Sequence, residues 1–340
     1  MEADDGALTT KAPKRRPAHK ETPAIARWCI GPVDQQGRGD GVVALTAAEL
    51  DNARSRAAAV GLHEAMAESL PAAGQVDIRV PAYRGNSLIP VLAWLAATRL
   101  SERGAQVSWH LEKRQGPDSV RRLLEGLGWA LDKKRVGRTV RLRGVPPATA
   151  SLPTPRSFEA QLGSRRVELL ADYGVFSPSR IDEGTALLLG VALQHPPVDV
   201  VADVGVGYGP LAIGLILNGV ARSAVATDVD CIALWLAQRN AQAHGVQMAL
   251  QCTPDPIAVQ PTQLTVCNIP THINAEETAR FMAGLARRAE HGTLLAVVHA
   301  SLEGRYTRHL ASANLRVSRR HPGPSHVVLE TARVRSEAAH

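Results

Sequence analysis

VDVVADVGVGYGPLAIGLILNG, residues 198–219, decides the fold. A valine-rich run interrupted by Asp199 and Asp203 reaches Val204, then glycines fall at 205, 207 and 209, and an apolar run opening on Pro210 closes at Gly219. A valine-rich run of this length reads as a buried strand, as in parallel sheets covered by helices. Proline suits the first helical turn and glycine the residue after the last. Glycines between strand and helix allow positive φ and let a ligand approach the backbone closely. The stretch predicts one βα unit of a doubly wound sheet with a ligand at its turn.

The alternation continues on both sides. Downstream, strands are expected at 223–230, 263–268, 293–299, 316–321 and 325–334, with helices at 232–245 and 275–292. Upstream, helices are expected at 45–70, 86–104 and 118–128, and strands at 76–82, 105–112 and 138–145. The fold class is therefore α/β, two tandem doubly wound (Rossmann-like) domains, with the glycine signal in the second copy only. PPATASLPTP (146–155) has proline at four of ten positions and reads as a linker. The expected organisation is a disordered basic arm over 1–24, a first domain over 25–148, a linker over 149–157 and a ligand-binding domain over 158–340.

Composition sets limits. The chain has 340 residues, long for a single core, and is 45% hydrophobic. No apolar run approaches the ~18–20 residues of a membrane helix, so no membrane partner is expected. The polar, proline-rich N-terminus does not read as a secretory signal. Four cysteines, with no C-x-x-C pair, point to free thiols in a reducing cytoplasm and to no metal. Residues 1–150 carry 23 Lys and Arg against 16 Asp and Glu; the remainder carries 16 of each, so the first half holds the whole net charge of +7. Lys133, Lys134, Arg135, Arg138, Arg141 and Arg143 follow one another with no acid between. They form a candidate polyanion surface, or a solvated one.

The candidate ligand residues line up on strand ends. Asp203 precedes the glycine turn of Gly205, Gly207 and Gly209. Asp228, closing the next strand about 20 residues on, can accept both hydroxyls of a ribose. Asp255 lies near the expected end of the third strand, where it could receive an adenine amino group or simply form a turn. LTVCNIPTHIN (264–274) ends the fourth strand on Asn268. In doubly wound sheets that edge faces the ligand crevice. An amide oxygen and the following Ile269 carbonyl can together hold a planar amino group, with Pro270 stiffening the turn.

Two resemblances sharpen this. The G-x-G-x-G spacing departs from the G-x-G-x-x-G of dinucleotide sites and resembles motif I of class I S-adenosylmethionine-dependent methyltransferases, which disfavours an NAD-dependent oxidoreductase. NIPTH is similar to the Asn-Pro-Pro-Phe-His of the RsmC/RlmG type of ribosomal RNA guanine-N2 methyltransferases. Asn268, Pro270 and His272 match, while Ile269 replaces the first proline and Thr271 the aromatic that stacks on the base. DYGVFSPSRIDEGTALLL (172–189) is similar to that family's segment before motif I, carrying over Phe176 and Asp182 with Gly184 and Thr185 beside them. Residues 109–129 resemble its N-terminal, cofactor-free half.

The resemblance implies a methyltransferase-like RNA-binding domain over 25–148 and a catalytic domain binding S-adenosyl-L-methionine. The implied reaction is methylation of the exocyclic N2 amine of a guanine in ribosomal RNA, with 16S favoured over 23S. Implied catalytic residues are Asn268, Ile269, Pro270 and His272. The implied partner is ribosomal RNA or a ribosomal subunit, met by a monomer. The alternatives are a methyltransferase acting on a protein amide or a small molecule, and an RNA-binding or assembly factor of weakened activity.

Overall fold

The computed structural model describes residues 25–32, 40–81, 84–256, 262–270, 274–289 and 292–333. The expected arm over 1–24, Thr271 and His272 lie outside them. The first seven strands are β1 (Arg27–Ile30), β2 (Gly41–Ala44), β3 (Ala58–Gly61), β4 (Ala73–Arg79), β5 (Ser101–Glu112), β6 (Ala130–Val136) and β7 (Thr139–Val145). They form one sheet in the order β3-β2-β1-β4-β5-β7-β6. A hairpin, β8 (Ser157–Leu162) and β9 (Arg165–Leu170), follows. The last seven strands are β10 (Val198–Val204), β11 (Ala221–Asp228), β12 (Met248–Cys252), β13 (Leu264–Asn268), β14 (Thr293–His299), β15 (Leu315–Pro322) and β16 (His326–Arg333). Their order, β12-β11-β10-β13-β14-β16-β15, repeats that of the first sheet, as a duplicated unit would.

The helices are α1 (Ala47–Arg54), α2 (Leu62–Ala67), α3 (Ile89–Leu95), α4 (Pro117–Gly126), α5 (Glu183–Ala192), α6 (Pro210–Leu217), α7 (Cys231–Ala243), α8 (Ala275–Arg288) and α9 (Glu303–Ser312). Some of their starts are written in side chains: Asp230 caps α7 by accepting from Ile232 N at 2.9 Å, and Asn274 and Glu277 form a reciprocal box at α8.

Three expectations change. The helix over 45–70 is α1, β3 and α2 in succession. Ala58 to Gly61 pair in parallel with Gly41 to Ala44, so sheet formation overrides the helix preference of an alanine run. The helix over 86–104 ends in one π-helical turn (Ala96–Leu100), and Gly104 lies within β5 rather than stopping a helix. The basic stretch begins on β6, an edge strand exposed along most of its length, whose polar sequence hides any two-residue period.

The second sheet changes direction between β10 and β13, which are adjacent although two βα units separate them in sequence. Register aligns Val204 with Thr227 on one side and with Cys267 on the other. Gly205, Asp228 and Asn268 therefore leave the sheet at one level, the edge where doubly wound folds bind ligands.

The first domain grips the chain just beyond Asp228. Ala47 N donates to Val229 O at 2.8 Å, and Cys231 N donates to Leu45 O at 3.1 Å. Arg84 pairs with Asp230 at 2.7 Å, their side chains only 5% and 16% exposed. Removing one partner of a buried pair leaves the other charge uncompensated, at a cost of about 3 kcal/mol or more. Arg84→Met is expected to lower the unfolding free energy by that order in denaturant titration. An unchanged midpoint would show that the domains do not lean on this pair.

Candidate active site

A cavity of about 660 Å³ opens at the carboxyl edge of the second sheet, over the switch between β10 and β13. That is the size of a small-molecule site. Gly205 and Gly207 form its floor, with φ of 78° and 56°. Among the described residues, a Cβ at Gly207 would meet nothing within 4 Å, and one at Gly205 would meet only the Asn268 carbonyl oxygen, at 3.9 Å. The glycines therefore keep open space above the backbone, as a ligand lying along it requires. Gly209 has φ of 99° and starts α6, but does not line the cavity.

Asp228 stands at the next strand end. Its Oδ2 accepts from Gly207 N at 2.8 Å and its Oδ1 from Asp230 N at 2.9 Å, which fixes the carboxylate at the cavity wall. Burial, helped by the Asp230 charge, pushes its carboxyl up to about 6 despite those N–H groups. Asp203 is fully buried and lies outside the lining. Its Oδ2 accepts from Ala212 N at 3.1 Å, and among the described residues its Oδ1 has no partner. Burial pushes Asp203 up to about 7, with Asp228 adding to the rise. Asp203 thus ties β10 to α6 and does not touch the cavity. Asp255 is exposed and also off the wall, which its neighbours Pro254 and Pro256 supply.

Asn268 is the best-oriented polar group of the site. Its Nδ2 donates to Thr185 Oγ1 at 3.1 Å and to Asp182 Oδ1 at 3.3 Å. A carboxylate only accepts, so the amide nitrogen must face Asp182. Among the described residues nothing donates to Oδ1, which stays available on the cavity wall. Asp182 Oδ1 also accepts from Thr185 N at 3.1 Å as the cap of α5, so one oxygen starts a helix and orients the amide.

Asp182, Thr185 and Phe176 all line the cavity, and Phe176 is 73% exposed at its mouth. Gly184 is buried and packs against the His326 ring instead of the cavity. Ile269 is buried and lines the wall, held by its N donating to Val297 O at 3.1 Å.

Several contributors escaped the sequence reading. Tyr306, buried on α9, donates from Oη to Pro270 O at 3.4 Å and so supports the turn after β13. Only its spacing of four from the apolar Leu310 hinted at an inward face. His299 and His326 line the cavity from β14 and β16, and single histidines give no sequence signal. Tyr208, in the glycine turn, closes the floor, its hydroxyl 3.3 Å from Ser177 O. Of the basic stretch, Arg141 and Arg143 lie on β7, Lys133, Lys134 and Arg135 on β6, and Arg138 in the turn between them. Lys134 pairs across the strands with Arg141, a like-charged pair that an anionic partner would relieve. Lys133 is engaged by Asp118.

Comparison with known proteins agrees with this geometry. Residues 166–316 match the Methyltransferase small domain family. The chain is 28% identical over 242 residues to the ribosomal RNA small subunit methyltransferase C of Hahella chejuensis, covering 68% of this chain and 70% of that one. It is 31% identical over 187 residues to the protein of that name from Stutzerimonas stutzeri, and here it spans 56% of the relative. It is 32% identical over 140 residues, 44% of the relative, to the ribosomal protein L11 methyltransferase of Geobacter sulfurreducens. In fold it is similar to the T. thermophilus 16S rRNA N2 methyltransferase RsmC, solved with AdoMet and guanosine. The TM-score is 0.68 at 19% identity, with 91% of this chain and 88% of that one covered.

The open glycine floor and the wall carboxylate fit a nucleoside-bearing methyl donor. Each charge-assisted bond removed from a ribose is worth roughly 1.5–3 kcal/mol. Asp228→Ala is expected to weaken S-adenosylhomocysteine at least ~10-fold in calorimetry. In the wild type, protonation of Asp228 as pH falls through about 6 removes the better acceptor, so affinity should drop there. Unchanged affinity in Asp228→Ala, or a flat profile from pH 8 to 5, would contradict the assignment.

Proposed function

The chain being a methyltransferase of the RsmC/RlmG type, we propose that it methylates the exocyclic N2 amine of a guanine in 16S ribosomal RNA. The observation that carries this is the Asn268 amide, turned by Asp182 and Thr185 so that an acceptor oxygen faces the cavity beside the glycine floor.

Gly205 and Gly207 would hold S-adenosylmethionine along the floor, with Asp228 on its ribose, and the bound cofactor would supply an electrophilic methyl. The protein supplies position. Asn268 Oδ1 accepts one N–H of the guanine amine and the Ile269 carbonyl accepts the other. This would aim the nitrogen lone pair at the methyl of the bound donor, and such placement accounts for much of the rate in a displacement of this kind. Transfer would exchange the methyl's bond to sulfur for a bond to N2, with S-adenosylhomocysteine leaving, and the methylated amine, made acidic by the new bond, would give its proton to water, so no strong base is demanded. Tyr306 keeps the Ile269–Pro270 turn in place. His272, beyond the described residues, is proposed as an auxiliary. A paired guanine hides its amine in the stack, so the target is single-stranded or flipped out. The β6–β7 hairpin, with Lys134, Arg135, Arg138, Arg141 and Arg143, holds the RNA by its phosphates.

Incubation of 16S rRNA, as naked RNA and as 30S subunits, with methyl-labelled S-adenosylmethionine should yield N2-methylguanosine at one site by nucleoside mass spectrometry. Label in a ribosomal protein would favour the amide-methylating alternative, and no label anywhere would favour the weakened binding factor. For the hairpin, replacing Arg138, Arg141 and Arg143 by Gln should flatten the dependence of log affinity on log salt by ~0.7–0.9 for each phosphate no longer neutralised. Cofactor affinity should not move. A salt slope equal to the wild type would mean that the hairpin is only a solvated edge.

A further inference from the structure

His299 and His326 are a pair that the proposed chemistry leaves without a role. They are register partners on β14 and β16, with ring centroids 5.4 Å apart and planes at 77°. Both line the cavity with Asn268, whose register partner Val297 lies two residues before His299. His326 also packs beside Gly184 on α5, one residue from Thr185 and two from Asp182, the groups that orient Asn268.

Their tautomers follow from their partners. His299 Nδ1 lies 3.3 Å from Ser301 N and 2.7 Å from Ser301 Oγ. A backbone N–H can only donate, so Nδ1 is an acceptor and the ring proton sits on Nε2. Ser325 Oγ bonds the Glu183 carboxylate, which only accepts, so the hydroxyl proton goes there. His326 Nδ1, 2.8 Å from the same Oγ, must then be the donor, and its Nε2 keeps a lone pair. The two rings differ in what they offer: His299 a donor, His326 an acceptor.

We propose that His299 and His326 are the base-reading subsite of this cavity, selecting a purine with a carbonyl at position 6 and a proton on N1. The assignment rests on the proposed guanine chemistry and adds the residues that choose guanine. Guanine presents along its Watson–Crick edge an O6 acceptor, an N1–H donor and the N2 amine. With Asn268 on the amine, His299 Nε2–H matches O6 and His326 Nε2 matches N1–H. A 2,6-diaminopurine keeps the same amine but reverses the other two groups, with a donor at position 6 and a bare lone pair on N1. It would set donor against donor and acceptor against acceptor. A site that makes such bonds rejects the mismatched analogue far better than a site built on shape alone.

The test compares guanosine with 2,6-diaminopurine riboside by calorimetry, with S-adenosylhomocysteine saturating. Wild type is expected to prefer guanosine by ~10-fold or more. His299→Ala and His326→Ala should each cut that preference several-fold at unchanged S-adenosylhomocysteine affinity. His299→Gln, which can restore a donor, should recover part of it. A preference unchanged in both alanine variants overturns the proposal, as does a wild type that does not discriminate. Parallel transfer assays on 16S rRNA separate the two levels. Normal N2 methylation alongside either overturning result removes only the histidine assignment, whereas absence of guanine methylation removes the chemistry beneath it.

Discussion

The Asn268 amide nitrogen, shared between the Asp182 carboxylate and the Thr185 hydroxyl, is the contact on which the site depends. A free amide can turn end for end and present either a donor or an acceptor to a ligand. Here the second partner is an acid that also caps α5, so a flipped amide would set oxygen against oxygen. Helix start and amide orientation are thus one device, and it leaves a lone pair facing the cavity. The arrangement also bears on substitution. A carboxylate at 268 would lie against Asp182 and be repelled, so Asp is a poorer mimic of Asn than the chemistry of the acceptor alone suggests.

The rest of the fold brings this device to the methyl donor. Parallel pairing of β10 with both β11 and β13 sets the glycine floor, Asp228 and Asn268 on one level. The first domain repeats the strand order of the second. Its grip on Val229, Asp230 and Cys231 holds the turn behind Asp228, so the wall carboxylate is fixed from both domains. Its hairpin offers cations that the sheet itself pairs unfavourably, Lys134 against Arg141. Such a surface gains when an anion covers it.

Much of this was legible in the sequence because the second domain is locally consistent. The β10–α6 stretch combines a strand, a turn and a helix start, each signalled by its own residues, and the structure follows it within two residues. Asn268 and Asp228 were readable because both close strands whose order fixes their edge. The failures have physical causes. The 45–70 segment carries helix-favouring alanines, yet parallel pairing with β2 turns four of its residues into a strand. Asp203 looked like a ligand residue because it adjoins the glycines, but the strand alternation points it inward, toward α6. Tyr306, His299 and His326 reach the site from segments distant in sequence, where one aromatic or imidazole has no pattern to announce it.

The central claim is that Asn268 orients the attacking amine and does not hold the fold. Single-turnover methyl transfer to 16S rRNA at saturating S-adenosylmethionine, compared between wild type and Asn268→Ala, tests it most directly. The expected result is a fall of ~10²-fold or more in the transfer rate, with the thermal midpoint and cofactor affinity nearly unchanged. Full transfer by Asn268→Ala would contradict the account and reduce NIPTH to a turn at the end of a strand.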